Sequence, residues 1–161
     1  MENRQSGFTI MELMTVIAII GILAAISTPN LISWRLNRHF NDSFQQTLAI
    51  MHSAKTRAVR DNRNTVIIFD VAEREIRAFV ADAAGNAAWN DDGARIFRHA
   101  MQPGVTITVP NEFPLVDGRR RLVFNDRGMP VGFNGGTITL ESDRGLSNQI
   151  NINMAGRIRA S

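Results

Sequence analysis

Glu12 is the only ionisable side chain between Phe8 and Ile26, in the run FTIMELMTVIAIIGILAAI. As a helix these residues span roughly 28 Å, about the thickness of a bilayer's hydrocarbon core. A charge inside such a segment costs on the order of 2.5–3.5 kcal/mol on insertion scales, so this carboxylate calls for a partner cation. The next candidates are Arg157 and Arg159, which alternate with Ile158 close to the C-terminus. On a strand both guanidinium groups face one side while Ile158 turns to the core. The remaining chemistry-bearing residues form no constellation. His39, His52 and His99 lie far apart with no Cys or nearby His, so they lack metal-ligand spacing. Asp82, Asp91 and Asp92 lack the spaced oxygen ligands and closing glutamate of a calcium loop. Gly135-Gly136 precedes no helix pattern, and Ser, His and Asp fall into no triad. No catalytic residue, metal or cofactor is expected, and the chain does not read as an enzyme.

The 161 residues suffice for one anchor helix and one small domain. With no cysteine in the chain, its C-terminus has to be held by strand pairing. The net charge of +3 is carried almost entirely by arginine, Lys55 being the only lysine, and is too small to imply a nucleic-acid partner by itself. Past Pro29, where a kink or loosened junction is expected, Ile32, Leu36, Phe40, Phe44, Leu48 and Met51 form one helical stripe reaching to about Arg60. From Thr65 the period becomes strand-like. Runs are expected at Thr65–Val71, Glu75–Val80, Arg95–His99, Val105–Val109, Arg121–Asn125, Thr137–Glu141, Gln149–Asn153 and Arg157–Ala160. Ala81–Gly93, which holds Trp89, and Pro110–Arg120 read as exposed loops, while Trp34 suits an anchor at lipid headgroup level. The expected class is α+β: a long N-terminal helix packed on a small antiparallel sheet or sandwich.

The stretch Gly7-Phe8-Thr9-Ile10-Met11-Glu12, with Gly21 and Pro29 beyond it, resembles the processing site of type IV pilins and type II secretion pseudopilins. A cleaved secretory signal or a plain anchor would also account for an apolar N-terminus. The short leader and the internal Glu12 argue against a secretory signal, and neither reading accounts for the whole pattern. The resemblance implies that a prepilin peptidase cuts between Gly7 and Phe8 and that Phe8 is then N-methylated. It also implies that Glu12 pairs with the terminal amine of a neighbouring subunit. That partner fits the physics, since an ammonium and a carboxylate relieve each other in a low-dielectric bundle. The implied organisation is a leader at 1–7, a helix at 8–60 with its membrane segment at 8–28, and a β-rich periplasmic domain at 61–161.

The segments Leu122–Gly128, Gly136–Leu140 and Gln149–Arg159 resemble the GspH/FimT family of minor pseudopilins and minor type IV pilins. This implies a subunit of the bacterial inner membrane that helps initiate or cap a pseudopilus for protein secretion, with other pilin-class subunits as partners. The alternative is a minor pilin at a type IV pilus tip. Some relatives of that branch bind DNA through a C-terminal Gly-Arg-x-Arg segment, which would engage Arg157 and Arg159, helped by Arg119, Arg120, Arg121, Arg127 or Arg144. The residues themselves favour a plainer reading, a charged edge strand protected from unwanted pairing.

Overall fold

The computed structural model describes residues 8–82 and 95–161. A single helix, α1, runs over Ile10–Asp61. Thr9 caps its start: the Glu12 amide donates to Thr9 Oγ1 at 3.2 Å and the Leu13 amide to the Thr9 carbonyl at 3.1 Å. Asn62, at φ 49°, closes its end in the left-handed conformation, and the Arg63 amide reaches back to the Ala58 carbonyl. The backbone stays helical through position 29, and the effect expected of the proline ring lies outside the described side chains.

The chain divides into two units, Met1–Arg38 and His39–Ser161. In the first, residues 10–26 of α1 are apolar apart from Glu12 and Thr15, and their large side chains are exposed, among them Ile10, Leu13, Ile17, Ile20 and Leu23. By length and composition this helix could cross a membrane. Trp34 is exposed as well, with the Arg38 guanidinium 5.8 Å from its ring centre.

The second unit begins where the helix becomes amphipathic. Phe40, Phe44, Ile50, Met51, Ala54 and Ala58 face a core built from two antiparallel sheets. One sheet contains β1 (Thr65–Asp70), β2 (Glu75–Val80), β3 (Arg95–Ala100), β5 (Leu115–Val116), β6 (Arg119–Phe124) and β7 (Pro130–Val131). Its order is β3-β2-β1-β6-β5, with β7 also on β6. The other is β10-β9-β8-β4, made of β4 (Val105–Thr108), β8 (Gly135–Ser142), β9 (Ser147–Asn153) and β10 (Ile158–Ala160). Ile67, Phe69, Leu122 and Phe124 from the first sheet and Ile107, Ile138, Leu140 and Ile150 from the second fill the core. Alternation puts Val66, Ile68 and Phe79 on the opposite face of the first sheet, so every residue of β1 is buried.

Two expectations need correction. Pro110–Arg120 is not simply an exposed loop. It contains β5, and Phe113 within it is fully buried, its ring centre 6.0 Å from Phe69 and 4.6 Å from Phe133. A lone aromatic in a polar stretch has no period to betray it, yet burying its ring outweighs the cost of ordering the loop. The upper part of the helix stripe is not core either, since Ile32 is exposed. Of the other expected loop, only Ala81 and Asp82 are described, and Ala81 is buried. Trp89, Asp91 and Asp92 lie outside the described residues.

Candidate functional site

Two regions collect the residues singled out by the sequence. At the N-terminal end, Glu12 occupies the third position of the helix, where the helix dipole favours an anion. The spacing Thr9-x-x-Glu12 is that of a capping box, and the Thr9 half of it is formed. The Glu12 carboxylate is exposed and accepts no hydrogen bond or ion pair among the described residues. Phe8, 80% exposed, precedes the helix; Gly7 lies outside the described residues. An unpaired carboxylate therefore stands one turn into a bare apolar helix, flanked by a free aromatic.

At the C-terminal end, β10 is the edge of its sheet, pairing with β9 through Ile158↔Ile152 and Arg159↔Asn151. Ile158 packs against the core while Arg157, just before the strand, and Arg159 within it are exposed. The segment is pinned by Lys55 of α1, whose Nζ donates to the Gly156 carbonyl at 2.7 Å. Gly156 has φ +72°, and a Cβ there would sit 2.2 Å from the Gly128 carbonyl oxygen. Only glycine lets the Arg157 turn press against the Asn125–Met129 turn, and so Arg127, also exposed, is brought to the same end of the unit.

The other arginines expected to help lie elsewhere. Arg119, Arg120 and Arg121 are on β6, in the other sheet, and each is engaged within the fold. Arg119 Nε pairs with Asp70 at 2.5 Å, Arg120 Nη1 donates to the carbonyls of Asn111 and Phe113, and Arg121 is 7% exposed. Strand register explains this. Arg119 and Arg121 share the outer face of their sheet with Asp70 and Ile68 of β1 and Glu75 and Arg77 of β2. Glu75 accepts from Arg77 Nε at 2.6 Å and from Arg98 Nε at 2.5 Å. Burial alone would push its carboxyl up, but the two guanidinium groups overcome this and hold it at about 2. Asp70 is treated likewise: burial raises it, while the Glu73 amide and Arg119 bring it below the ordinary value. Sequence reading passed over this network, although Glu75-x-Arg77 and Arg119-x-Arg121 already show its period of two.

Among the described residues no group of three or more His, Cys, Asp or Glu is placed to hold a metal ion. A family model described as "Type II transport protein GspH" matches residues 44–156, most of the chain. The chain belongs to the GspH family. A second model, the prokaryotic N-terminal methylation motif, matches residues 3–28 of this GspH-family protein and so brackets Gly7, Phe8 and Glu12. Among solved structures it is similar to the minor pilin FimU of Pseudomonas aeruginosa. There the TM-score is 0.58 and identity 17%, with 78% of this chain and 90% of that one covered. It is also similar to the minor pseudopilin EpsH of Vibrio cholerae, with TM-score 0.55, 13% identity and coverage of 75% and 94%. At such identities these two establish the shared fold, a long helix packed on antiparallel sheets. Among curated proteins it is 58% identical over 31 residues to the type II secretion system core protein G of Dickeya chrysanthemi; the match covers 19% of this chain and 20% of that protein. The GspH family comprises minor pseudopilins and minor pilins, structural subunits that assemble with others of their class, and the apolar helix fits membrane anchoring.

Proposed function

We propose that this GspH-family chain is a minor pseudopilin of a type II secretion filament. Prepilin peptidase removes residues 1–7, Phe8 becomes the N-methylated terminus, and residues 8–28 hold the subunit in the inner membrane. The β-rich domain lies in the periplasm, and the subunit helps initiate or cap the pseudopilus. The observation that supports its filament part, common to pseudopilins and pilins, is the Glu12 carboxylate, without a partner among the described residues on an exposed apolar helix inside the methylation motif. The secretion branch is favoured by the match to the GspH family model. In lipid it is a liability; beside the amine of a neighbouring Phe8 it becomes a register pin that favours one stagger of adjacent helices. The test is Glu12→Ala in cells carrying the partner subunits. Cleavage after Gly7 should be retained and cross-linking into the filament lost; wild-type incorporation would sink the pairing.

A second reading, a minor pilin at a type IV pilus tip that receives DNA, is favoured by one observation. Arg157, Arg159 and Arg127 are exposed at one end of the domain, without carboxylate partners among the described residues. It is tested by titrating the protein with labelled duplex at two salt concentrations. Salt-sensitive micromolar binding that disappears in Arg157→Ala/Arg159→Ala supports it, and binding indifferent to those changes removes its basis.

A further inference from the structure

Just past the membrane-length run, one face of α1 changes character. Leu31, Trp34, Arg35 and Arg38 follow the i, i+3, i+4, i+7 spacing that gathers side chains on one side of a helix, and all four are exposed. Leu31 is 64% and Trp34 59% exposed, so the bare apolar surface continues up to the two arginines. The Arg38 guanidinium is turned back over the Trp34 ring, 5.8 Å from its centre, which brings its charge to the level of the indole. Between Glu12 and Asp42 the chain contains no Asp or Glu, and neither Arg35 nor Arg38 has a carboxylate partner among the described residues. This face therefore joins aliphatic, aromatic and uncompensated cationic groups within about two turns of helix.

The distances along the helix select its occupant. From Ile10 to Trp34 the axis rises roughly 36 Å, and about 34 Å across the bilayer if the helix tilts by about 20°. The hydrocarbon core is about 30 Å thick, and about 40–45 Å with both headgroup layers. With Ile10 at one edge of the hydrocarbon, Trp34 reaches the headgroups beyond the other edge, where an indole is favoured. Arg35 and the turned-back Arg38 then lie at the level of the lipid phosphates, whose paired oxygens match a guanidinium fork. In a zwitterionic lipid the headgroup's own ammonium competes for that phosphate. In an anionic lipid nothing does, and each arginine near such a surface strengthens binding about fivefold.

We infer that Leu31, Trp34, Arg35 and Arg38 form an interfacial site for anionic phospholipid, collecting such lipids where the helix leaves the bilayer. This rests on the membrane-anchoring part of the reading above. The test uses the full chain with Trp89→Phe, which leaves Trp34 as its one indole. It is reconstituted into vesicles of one fixed mixture of phosphatidylcholine and phosphatidylglycerol. In one set bromines are carried near the head of the phosphatidylglycerol chains, in the other on an equal number of phosphatidylcholine chains, and Trp34 fluorescence is read in both. Quenching by the phosphatidylglycerol bromines should be at least about twofold stronger. The two should become equal in Arg35→Gln/Arg38→Gln, while Arg157→Gln/Arg159→Gln keeps the preference. Equal quenching in the parent protein overturns the site, as does a preference that survives Arg35→Gln/Arg38→Gln or is lost as fully in Arg157→Gln/Arg159→Gln. Absence of quenching by either lipid overturns it too and places Trp34 outside the headgroup layer. Flotation with vesicles of phosphatidylcholine alone judges the anchoring separately. A chain that floats but shows no lipid preference rejects the site alone, and one that does not float rejects the anchoring and the site together.

Discussion

Replacing Glu75 by Gln should remove a pH-dependent part of the stability whose size and sign can be worked out beforehand. In the folded protein burial opposes the Glu75 charge, and Arg77 and Arg98 more than compensate, holding its carboxyl at about 2 against an ordinary 4.5. At 1.36 kcal/mol per pH unit that difference is worth about 3 kcal/mol. The sign follows from the lowered folded value. The contribution is complete above about pH 5, where the unfolded carboxylate is also ionised, and is lost as pH falls through 4 towards 2. Glu75→Gln keeps the shape and removes the charge that the two arginines share, so the loss at pH 7 should be about 3 kcal/mol. The assay is urea unfolding of the His39–Ser161 unit of both proteins at pH 7, 5, 4 and 3. The gap between their unfolding free energies should stay near its full value down to pH 5 and shrink steadily below it. A gap that is constant from pH 7 to pH 3 would refute the ion-pair account.

Two further substitutions test the packing around the candidate regions. Phe113→Ala removes a fully buried ring between Phe69 and Phe133 and should cost about 3–5 kcal/mol in the same unfolding assay. A cost near zero would restore the exposed-loop reading of Pro110–Arg120. Gly156→Ala meets both a positive φ and the Gly128 carbonyl, and should cost at least about 2 kcal/mol while quickening amide exchange along β10. Unchanged exchange there would show that the turn is not what holds the C-terminal arginines.

The helix and most strands were legible because their apolar residues recur at one clear period. Phe40, Phe44 and Met51 mark the helix, and Thr137–Leu140 marks β8. The short strands were harder, since two residues such as Leu115-Val116 cannot display an alternation. A signal was nevertheless present: Asp117-Gly118, both at positive φ, forms the tight turn that joins β5 to β6. Glu12 was legible because a charge in an apolar run is conspicuous in one dimension. The fates of Arg119, Arg120 and Arg121 were not. Three successive arginines look alike as sequence, and only strand register gives one to Asp70, one to loop carbonyls and one to a buried position opposite Ile68. Ser43 and Thr47 carry no apolar signal in the sequence either. These polar residues are buried on the core face, because Thr47 donates to the Ser43 carbonyl and Ser43 Oγ accepts from the Gln102 amide.

Cleavage between Gly7 and Phe8 is the first event that the filament role requires. The measurement is the intact mass and N-terminal fragment spectrum of the protein recovered from membranes of cells with and without an active prepilin peptidase. The account predicts a chain beginning at N-methylated Phe8 when the peptidase is present, and the full leader retained when it is absent or when Gly7 is replaced by a bulky residue. A chain that keeps Met1–Gly7 beside an active peptidase, or is cut near Ala24-Ala25 instead, would contradict it.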